Sequence, residues 1–107
     1  MNKKLKDIIE ILKQVNATDI KVYDYENTSP FFDYVIVGTA TDRQGNAAVG
    51  YLKKADLVEM KNVEGRQNSG WVLIDASDVI IHLFTSEMRK VYNFDERLML
   101  IKQIEIK

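Results

Sequence analysis

The side chains best suited to chemistry lie in one segment, Glu64–Tyr92, which holds the only Trp of the chain (Trp71) and its only His (His82). Asp75 and Asp78, three residues apart in the same segment, can together bind one cation. A two-metal enzymatic site needs carboxylates two residues apart on a strand and a third nearby, and the segment Ala55-Asp56-Leu57-Val58 that follows the Gly38-Thr39 turn and its helix has no such pair. A single His without any Cys argues against a zinc site. We therefore predict no catalytic residue, no metal and no cofactor.

The positions of these residues depend on a predicted β-hairpin. Two strand-like runs flank Asp75-Ala76-Ser77-Asp78, a sequence typical of a tight turn. With Ala76-Ser77 as the loop, Asp75 pairs with Asp78, Leu73 with Ile80, and Trp71 with His82. Strand alternation then separates two faces. The purely aliphatic face is expected in the core, and it comprises Val72, Ile74, Val79, Ile81 and Leu83. The mixed face is interpreted as a site, and it comprises Trp71, Leu73, Asp75, Asp78, Ile80, His82 and Phe84.

Each candidate on the mixed face also has a purely structural interpretation. Asp75 and Asp78 can act as turn residues that hydrogen-bond the backbone. Directly opposed carboxylates repel, however, and a basic partner surface would relieve that repulsion. Trp71 is either a core residue or the anchor of a surface patch. His82 alone would be interpreted as a hydrogen-bonded histidine of a sheet. The residues alone leave these alternatives open.

Composition limits the class of protein. A chain of 107 residues predicts one domain, residues 1–107, large enough to bury a core. Fifteen basic and sixteen acidic side chains give a net charge of −1, whereas nucleic-acid-binding proteins usually carry a basic surplus. We therefore expect little direct nucleic-acid contact. Without Cys, and without an apolar run near the roughly 20 residues of a membrane span, the chain is expected to be cytoplasmic.

The elements that position these residues follow from periodicity. Helical spacing of apolar residues predicts an amphipathic helix over residues 2–16. Alternation predicts a strand over Asp19–Tyr25, and the continuous apolar run Tyr34–Val37 is typical of a buried, often parallel, strand. Thr41 followed by Gln44 forms a capping-box pattern that begins a second helix over residues 42–59.

The second half of the chain is patterned less clearly. A strand near Val58–Val63 is weakly indicated, and the hairpin follows it. Thr85 or Ser86 can cap a short helix that runs to about Val91. The end of the chain, Ile104–Ile106, is predicted as an edge strand. This order of elements predicts an α/β (α+β) fold with a single mixed sheet flanked by helices.

Several of these motifs resemble the ribosomal silencing factor S family, whose members are also called Iojap-like proteins. The resemblance covers Ala17 to Leu98 and is strongest in the second half of the chain. Its pieces are Asp19-Ile20-x-Val22-x-Asp24, Asp33-Tyr34-Val35-Ile36-Val37, Glu64-Gly65-Arg66, Gly70-Trp71-x-Leu73-x-Asp75, Asp78-x-Ile80-Ile81-His82-x-Phe84 and Met88-Arg89-x-x-Tyr92. The order and spacing of the last four pieces make the resemblance specific.

The resemblance implies a nucleotidyltransferase-like fold without catalysis. It implies binding to the large ribosomal subunit through the protein numbered fourteen in the universal scheme. Bound there, such a protein blocks joining of the small subunit and represses translation when nutrients are limiting. Relatives in organelles assist large-subunit assembly, and members are often homodimers when free.

The resulting hypothesis assigns partner contact to the mixed hairpin face and the short helix. Trp71 is the anchor, Asp75 and Asp78 bind basic groups, and the polar rim consists of His82, Arg89 and Tyr92. The structural alternative for Arg89 and Tyr92 is a salt bridge and an aromatic residue at the edge of the core. Two other functions are possible: a nucleotide-binding protein or nucleotidyltransferase, and a large-subunit assembly factor that uses the same face.

Overall fold

Four helices and six strands form in the part of the chain that the structure, a computed structural model, describes: residues 2–58, 63–65 and 69–106. The helices are α1 Lys3–Gln14, α2 Asp42–Lys54, α3 Ser86–Tyr92 and α4 Phe94–Arg97. The strands are β1 Thr18–Asp24, β2 Tyr34–Thr39, β3 Val63–Glu64, β4 Trp71–Ala76, β5 Val79–Phe84 and β6 Lys102–Ile104.

All six strands belong to one sheet, in the order β3-β4-β5-β2-β1-β6. The pair β2 and β5 is parallel, and the other four neighbouring pairs are antiparallel. The buried run that begins at Tyr34 therefore lies in the parallel pair, as its composition indicated. The predicted α/β fold with a single mixed sheet flanked by helices is confirmed.

The two faces of the sheet are covered by different helices. On one face, α1 and α2 pack an aliphatic core in which Leu5, Ile8 and Leu52 meet Ile36 and Ile81. On the other face, α3 and α4 cover a smaller core that is rich in aromatic residues. The predicted aliphatic face of the hairpin lies in the first core, where Ile74, Val79, Ile81 and Leu83 are buried and Val72 packs against them.

The predicted capping box at the start of α2 is confirmed. The backbone N–H of Gln44 donates to Thr41 Oγ1 at 3.1 Å, and the Thr41 N–H donates back to Gln44 Oε1 at 2.9 Å. The helix ends at Lys54 rather than at residue 59. Asp56 adopts a left-handed φ of 61°, a conformation that commonly ends a helix.

Other boundaries differ from the prediction by a few residues. α1 is shorter than residues 2–16, and α3 begins after the N-cap Thr85 and ends one residue beyond Val91. β6 ends at Ile104, the residue at which the predicted edge strand begins. Of the predicted strand 58–63, residues 59–62 lie outside the described residues, and β3 begins at Val63. α4 was not predicted, because four residues are too few to show a helical period.

Candidate functional site

The hairpin forms, but the predicted register is wrong. Ser77 and Asp78 make the turn, in place of Ala76 and Ser77, and the strands close on the pair Ala76–Val79. Ser77 has a φ of 71°, and the Asp75 carboxylate accepts a hydrogen bond from the Ser77 N–H at 3.0 Å. This local bond shifts the turn by one residue. The observed cross-strand pairs are Trp71 with Phe84, Leu73 with His82, and Asp75 with Ile80.

The correct register separates the two aspartates. Asp78 lies in the turn, and its carboxylate accepts a hydrogen bond from Lys4 Nζ of α1 at 2.8 Å. Lys4 also donates to the backbone oxygen of Ala76. Asp75 stays on the mixed face and is exposed. The two carboxylates do not oppose each other, so the predicted repulsion between them does not arise, and Asp78 already has a basic partner within the chain.

The mixed face is built around five rings, which we call the aromatic cluster: Trp71, His82, Phe84, Tyr92 and Phe94. The partner of each residue changes by two positions, because Trp71 pairs with Phe84 in place of His82. A change of two keeps every side chain on its face, so Trp71, His82 and Phe84 remain on one face of the sheet. The Trp71 ring is nearly parallel to those of His82 and Phe84, with centroid distances of 6.4 Å to each. Tyr92 of α3 lies 5.7 Å from Trp71, and Phe94 of α4 meets His82 edge-on at 4.5 Å.

Trp71 lies at the edge of this cluster. Its side chain is half-buried, and its Nε1–H donates to His82 Nδ1 at 3.4 Å. One side of the indole therefore packs against the aromatic-rich core between the sheet and the helices α3 and α4. The rest of the residue is accessible from solvent, and the role of Trp71 as the anchor of a surface patch stays a prediction.

His82 is neutral in this setting. Burial lowers its pKa from 6.5 to about 4, since the charged ring would lose its hydration among the aromatic side chains. Because Nδ1 accepts the bond from Trp71, the ring proton belongs on Nε2. A neutral, hydrogen-bonded imidazole is the arrangement expected for a structural histidine.

Arg89 does not lie on the rim where the sequence placed it. Its side chain is only 6% exposed, and its guanidinium makes paired hydrogen bonds to Asp95, from Nε at 3.1 Å and from Nη2 at 3.0 Å. Nη1 donates to Thr39 Oγ1 and to the backbone oxygen of Asp19. The strand β1 is irregular between Thr18 and Lys21, which presents this oxygen to Arg89.

The Arg89 network fixes α3 and α4 against the sheet. The hydrogen bonds from Arg89, together with the ion pair to Lys21, hold the pKa of the Asp95 carboxyl below its usual value. Tyr92 also faces inward, in the aromatic cluster. The observed contacts are therefore the structural ones considered for these two residues: Arg89 forms a salt bridge, and Tyr92 is an aromatic residue at the edge of the core.

The accessible part of the mixed face is smaller than predicted. We call it the outer hairpin face and define it by Trp71, Leu73, Asp75, Ile80 and His82, of which Asp75 is exposed and the others are half-buried. It combines apolar surface with one carboxylate on two paired strands.

Sequence reasoning missed a second accessible apolar patch. Val91, Met99 and Leu100 are 67%, 70% and 92% exposed and line a cavity of about 520 Å³ beside Tyr92. Exposed apolar residues show no period that distinguishes them from core residues, so the sequence offered no signal for the patch.

Residues 2–58, 63–65 and 69–106 contain neither a metal-ligand cluster nor a helix of membrane-spanning type. No group of three or more His, Asp or Glu side chains there is placed to hold a metal ion. None of the helices in this part of the chain has the length and apolar character needed to cross a membrane.

Comparison with known proteins supports the family resemblance that the hairpin motifs indicated. A sequence model of the family described as "Ribosomal silencing factor during starvation" matches residues 1–105. The chain belongs to this family. It is 33% identical to the ribosomal silencing factor RsfS of Zymomonas mobilis over 85% of this chain and 71% of the relative. The resemblance inferred from the sequence is confirmed.

Relatives from organelles are longer than this chain. The chloroplastic protein Iojap of Arabidopsis thaliana is 32% identical over 94% of this chain but 43% of its own length. A mouse protein named "Mitochondrial assembly of ribosomal large subunit protein 1" is 29% identical over 83% of this chain and 42% of its own length. The match corresponds to less than half of each organellar protein.

Two crystal structures have the same fold. A protein from Chromobacterium violaceum superposes with a TM-score of 0.76 at 29% identity, covering 91% of this chain and 86% of that one. A protein from Bacillus halodurans also gives a TM-score of 0.76, at 25% identity, and covers 98% and 100% of the two chains.

Proposed function

We propose that this protein binds the large ribosomal subunit and sterically blocks joining of the small subunit, so that translation is repressed when nutrients are limiting. The partner would be the large-subunit protein of universal number fourteen. Family membership supports the general role. The observation that supports the contact surface is the outer hairpin face, where a half-buried Trp71 and an exposed Asp75 lie on the same side of two paired strands.

The size of the protein suits a steric block. Its accessible surface is 6730 Å² and its longest dimension is 32 Å. A standard protein interface takes about 800 Å² from each partner, roughly an eighth of this surface. The outer hairpin face would form the centre of such an interface and the residues around it would supply the remaining area, while most of the protein would project from the subunit.

Charge favours a basic protein partner over nucleic acid. The net charge is −1, and Asp75 is the charged residue of the outer hairpin face. Its carboxylate uses one oxygen for the Ser77 N–H, which leaves the other for a partner. A Lys or Arg of a ribosomal protein fits this position, with Trp71 as the apolar anchor beside it.

Substitution of Asp75 by Asn tests the contact with little structural change. The amide oxygen of Asn can still accept from Ser77 N–H, so the turn is kept and only the charge is lost. We expect Asp75→Asn to weaken binding to purified large subunits by about 1 kcal/mol, roughly fivefold, and to reduce its salt dependence. Co-sedimentation at two salt concentrations measures both effects.

Asp24→Asn is the matched control. Asp24 ends β1 and accepts from the Glu26 N–H at 2.8 Å, so the substitution removes one charge and preserves the same kind of bond. It should bind like the unmodified protein. Equal binding by the two variants would remove Asp75 from the proposed interface, and a subunit-joining assay without inhibition would refute the function itself.

Assembly of the large subunit is the second candidate function, favoured by the name of the mouse relative. It would use the same face, and accumulation of precursor particles after depletion of the protein would distinguish it from silencing. A homodimer in the free state and a cytoplasmic location are further parts of the proposal. The exposed Val91, Met99 and Leu100 supply apolar surface for self-association, which the solution mass would test.

A further inference from the structure

A crevice forms where the parallel strands β2 and β5 end side by side. The chain that leaves β2 enters α2, whose Ala48 and Leu52 pack in the aliphatic core. The chain that leaves β5 enters α3, whose Met88 and Tyr92 pack on the opposite face of the sheet. Adjacent parallel strands whose following helices turn to opposite faces open a crevice at their carboxyl ends, and open α/β sheets bind ligands at this position.

The crevice is large enough for a small molecule. Its volume is about 500 Å³, within the range of roughly 300–1,000 Å³ for ligand sites. Thr39 and Ser86 also line an adjoining cavity of about 300 Å³, so the depression continues toward Lys90 and Asn93. It lies away from the outer hairpin face, since none of the residues of that face lines either cavity.

The lining is rich in uncharged hydrogen-bonding groups. Within the described residues, the side chains of Asn16, Thr18 and Ser86 make no hydrogen bond with the protein, and all three are exposed. Thr39 Oγ1 accepts from Arg89, which leaves its O–H free to donate. Gln44 uses its carbonyl oxygen for the cap of α2 and can donate from its amide nitrogen.

The charge in the crevice itself disfavours an anion. Asp42 is the charged side chain of the lining, and its Oδ1 accepts from the Gly70 N–H at 3.2 Å. Its second oxygen can accept from a ligand hydroxyl but repels a phosphate. Two basic residues line the adjoining cavity instead: Arg89 is already paired with Asp95, and Lys90 is exposed.

We propose that this crevice binds a small, uncharged, polyhydroxylated molecule through its sugar hydroxyls. The sugar ring of a nucleoside and that of a free disaccharide share this chemistry. Ligand hydroxyls would donate to Asp42 and exchange hydrogen bonds with Thr18, Thr39 and Ser86. The site is separate from the proposed ribosome contact and does not depend on it.

The test is a titration of the isotope-labelled full chain followed by amide chemical shifts, with adenosine, maltose and ATP with magnesium as probes. We expect saturable shifts at the ends of β2 and β5 with adenosine, with maltose or with both. A response to adenosine alone identifies the nucleoside source, and one to maltose alone the saccharide source. Absence of saturable shifts with both up to about 10 mM, or tighter binding of ATP than of adenosine, overturns the proposal.

Ser86→Leu blocks the crevice at the position that both cavities share, and it leaves the cap made by Thr85 unchanged. It should weaken binding of the sugar probe at least tenfold. Ser29→Leu, the same change in the loop between β1 and β2, lies outside both cavities; it removes a hydrogen bond from the Phe31 N–H but should bind the sugar probe normally. Thermal melting confirms that both variants fold. Unchanged binding by folded Ser86→Leu would place the ligand elsewhere and overturn the assignment.

Discussion

The neutral imidazole of His82 links the aromatic cluster to pH. Its pKa is about 4 in the folded protein, below the 6.5 of a solvent-exposed histidine, because burial penalises the charged ring. Between these values the unfolded chain binds a proton that the folded protein does not. The contribution of His82 to the free energy of unfolding is therefore complete above pH 6.5. It is lost as pH decreases toward 4, by about 3 kcal/mol in total.

Replacement of His82 by Phe should flatten this dependence. Phe retains a ring beside Trp71 and Phe94 but cannot take up a proton. Urea unfolding at pH 7 and at pH 4.5 should show a clear loss of stability for the unmodified protein and a smaller loss for His82→Phe. The Asp95 carboxyl does not interfere, because its lowered pKa places its contribution below pH 4. Equal losses in the two proteins would refute the assignment to His82.

Single residues also show how far the sequence could define the site. Strand alternation predicted that Trp71, His82 and Phe84 share one face, and they do share the aromatic cluster. Tyr92 was assigned to that surface only by the family resemblance. The positions of Asp78 and Arg89 were not predictable in this way. Their partners, Lys4 and Asp95, come from other elements, and no local pattern shows which ion pairs the tertiary structure will form.

Gly70 allows the start of β4 to lie close to the start of α3. Gly70 has a φ of 80°, its N–H donates to Asp42, and its backbone oxygen accepts from the Thr85 N–H. A Cβ at this position would lie 2.5 Å from Met88 Cγ and 3.0 Å from Thr85 Oγ1. Gly70 thus sets the distance between the start of β4, where Trp71 lies, and the start of α3.

Gly70→Ala should destabilise the protein by about 2 kcal/mol or more, because of both the positive φ and the close contact with Met88. Gly50→Ala is the matched control. Gly50 lies within α2, and a Cβ added there would meet no neighbouring side chain within 4 Å, so Ala should stabilise the helix by about 0.5–1 kcal/mol. Thermal melting of the two variants should show shifts of opposite sign, and shifts of the same sign would contradict this account.

At the level of elements, prediction succeeded where a pattern was local and long. α1, β1, β2 and α2 follow from apolar periodicity and the capping box. The hairpin register failed because one side-chain hydrogen bond, from Ser77 N–H to Asp75, determined which residues form the turn. The strand order, with β5 beside β2, depends on contacts between residues far apart in the chain, and periodicity holds no information about them.

The whole molecule is expected to act by occupancy. If the bound protein blocks subunit joining sterically, inhibition should saturate at one copy per large subunit. A light-scattering assay of joining, titrated with the protein, should show an endpoint near equimolar ratio when subunits are well above the dissociation constant. Excess small subunits should relieve partial inhibition. Progressive inactivation of subunits by substoichiometric protein would instead indicate a catalytic activity and contradict the steric mechanism.

One outermost strand of the sheet is short. β6 has three residues, whereas its neighbour β1 has seven. An outermost strand exposes unpaired backbone groups, and long ones recruit strands from other molecules into aggregates. A strand of three residues offers few such groups. This edge of the sheet is therefore poorly suited to growth by addition of a strand from a second molecule.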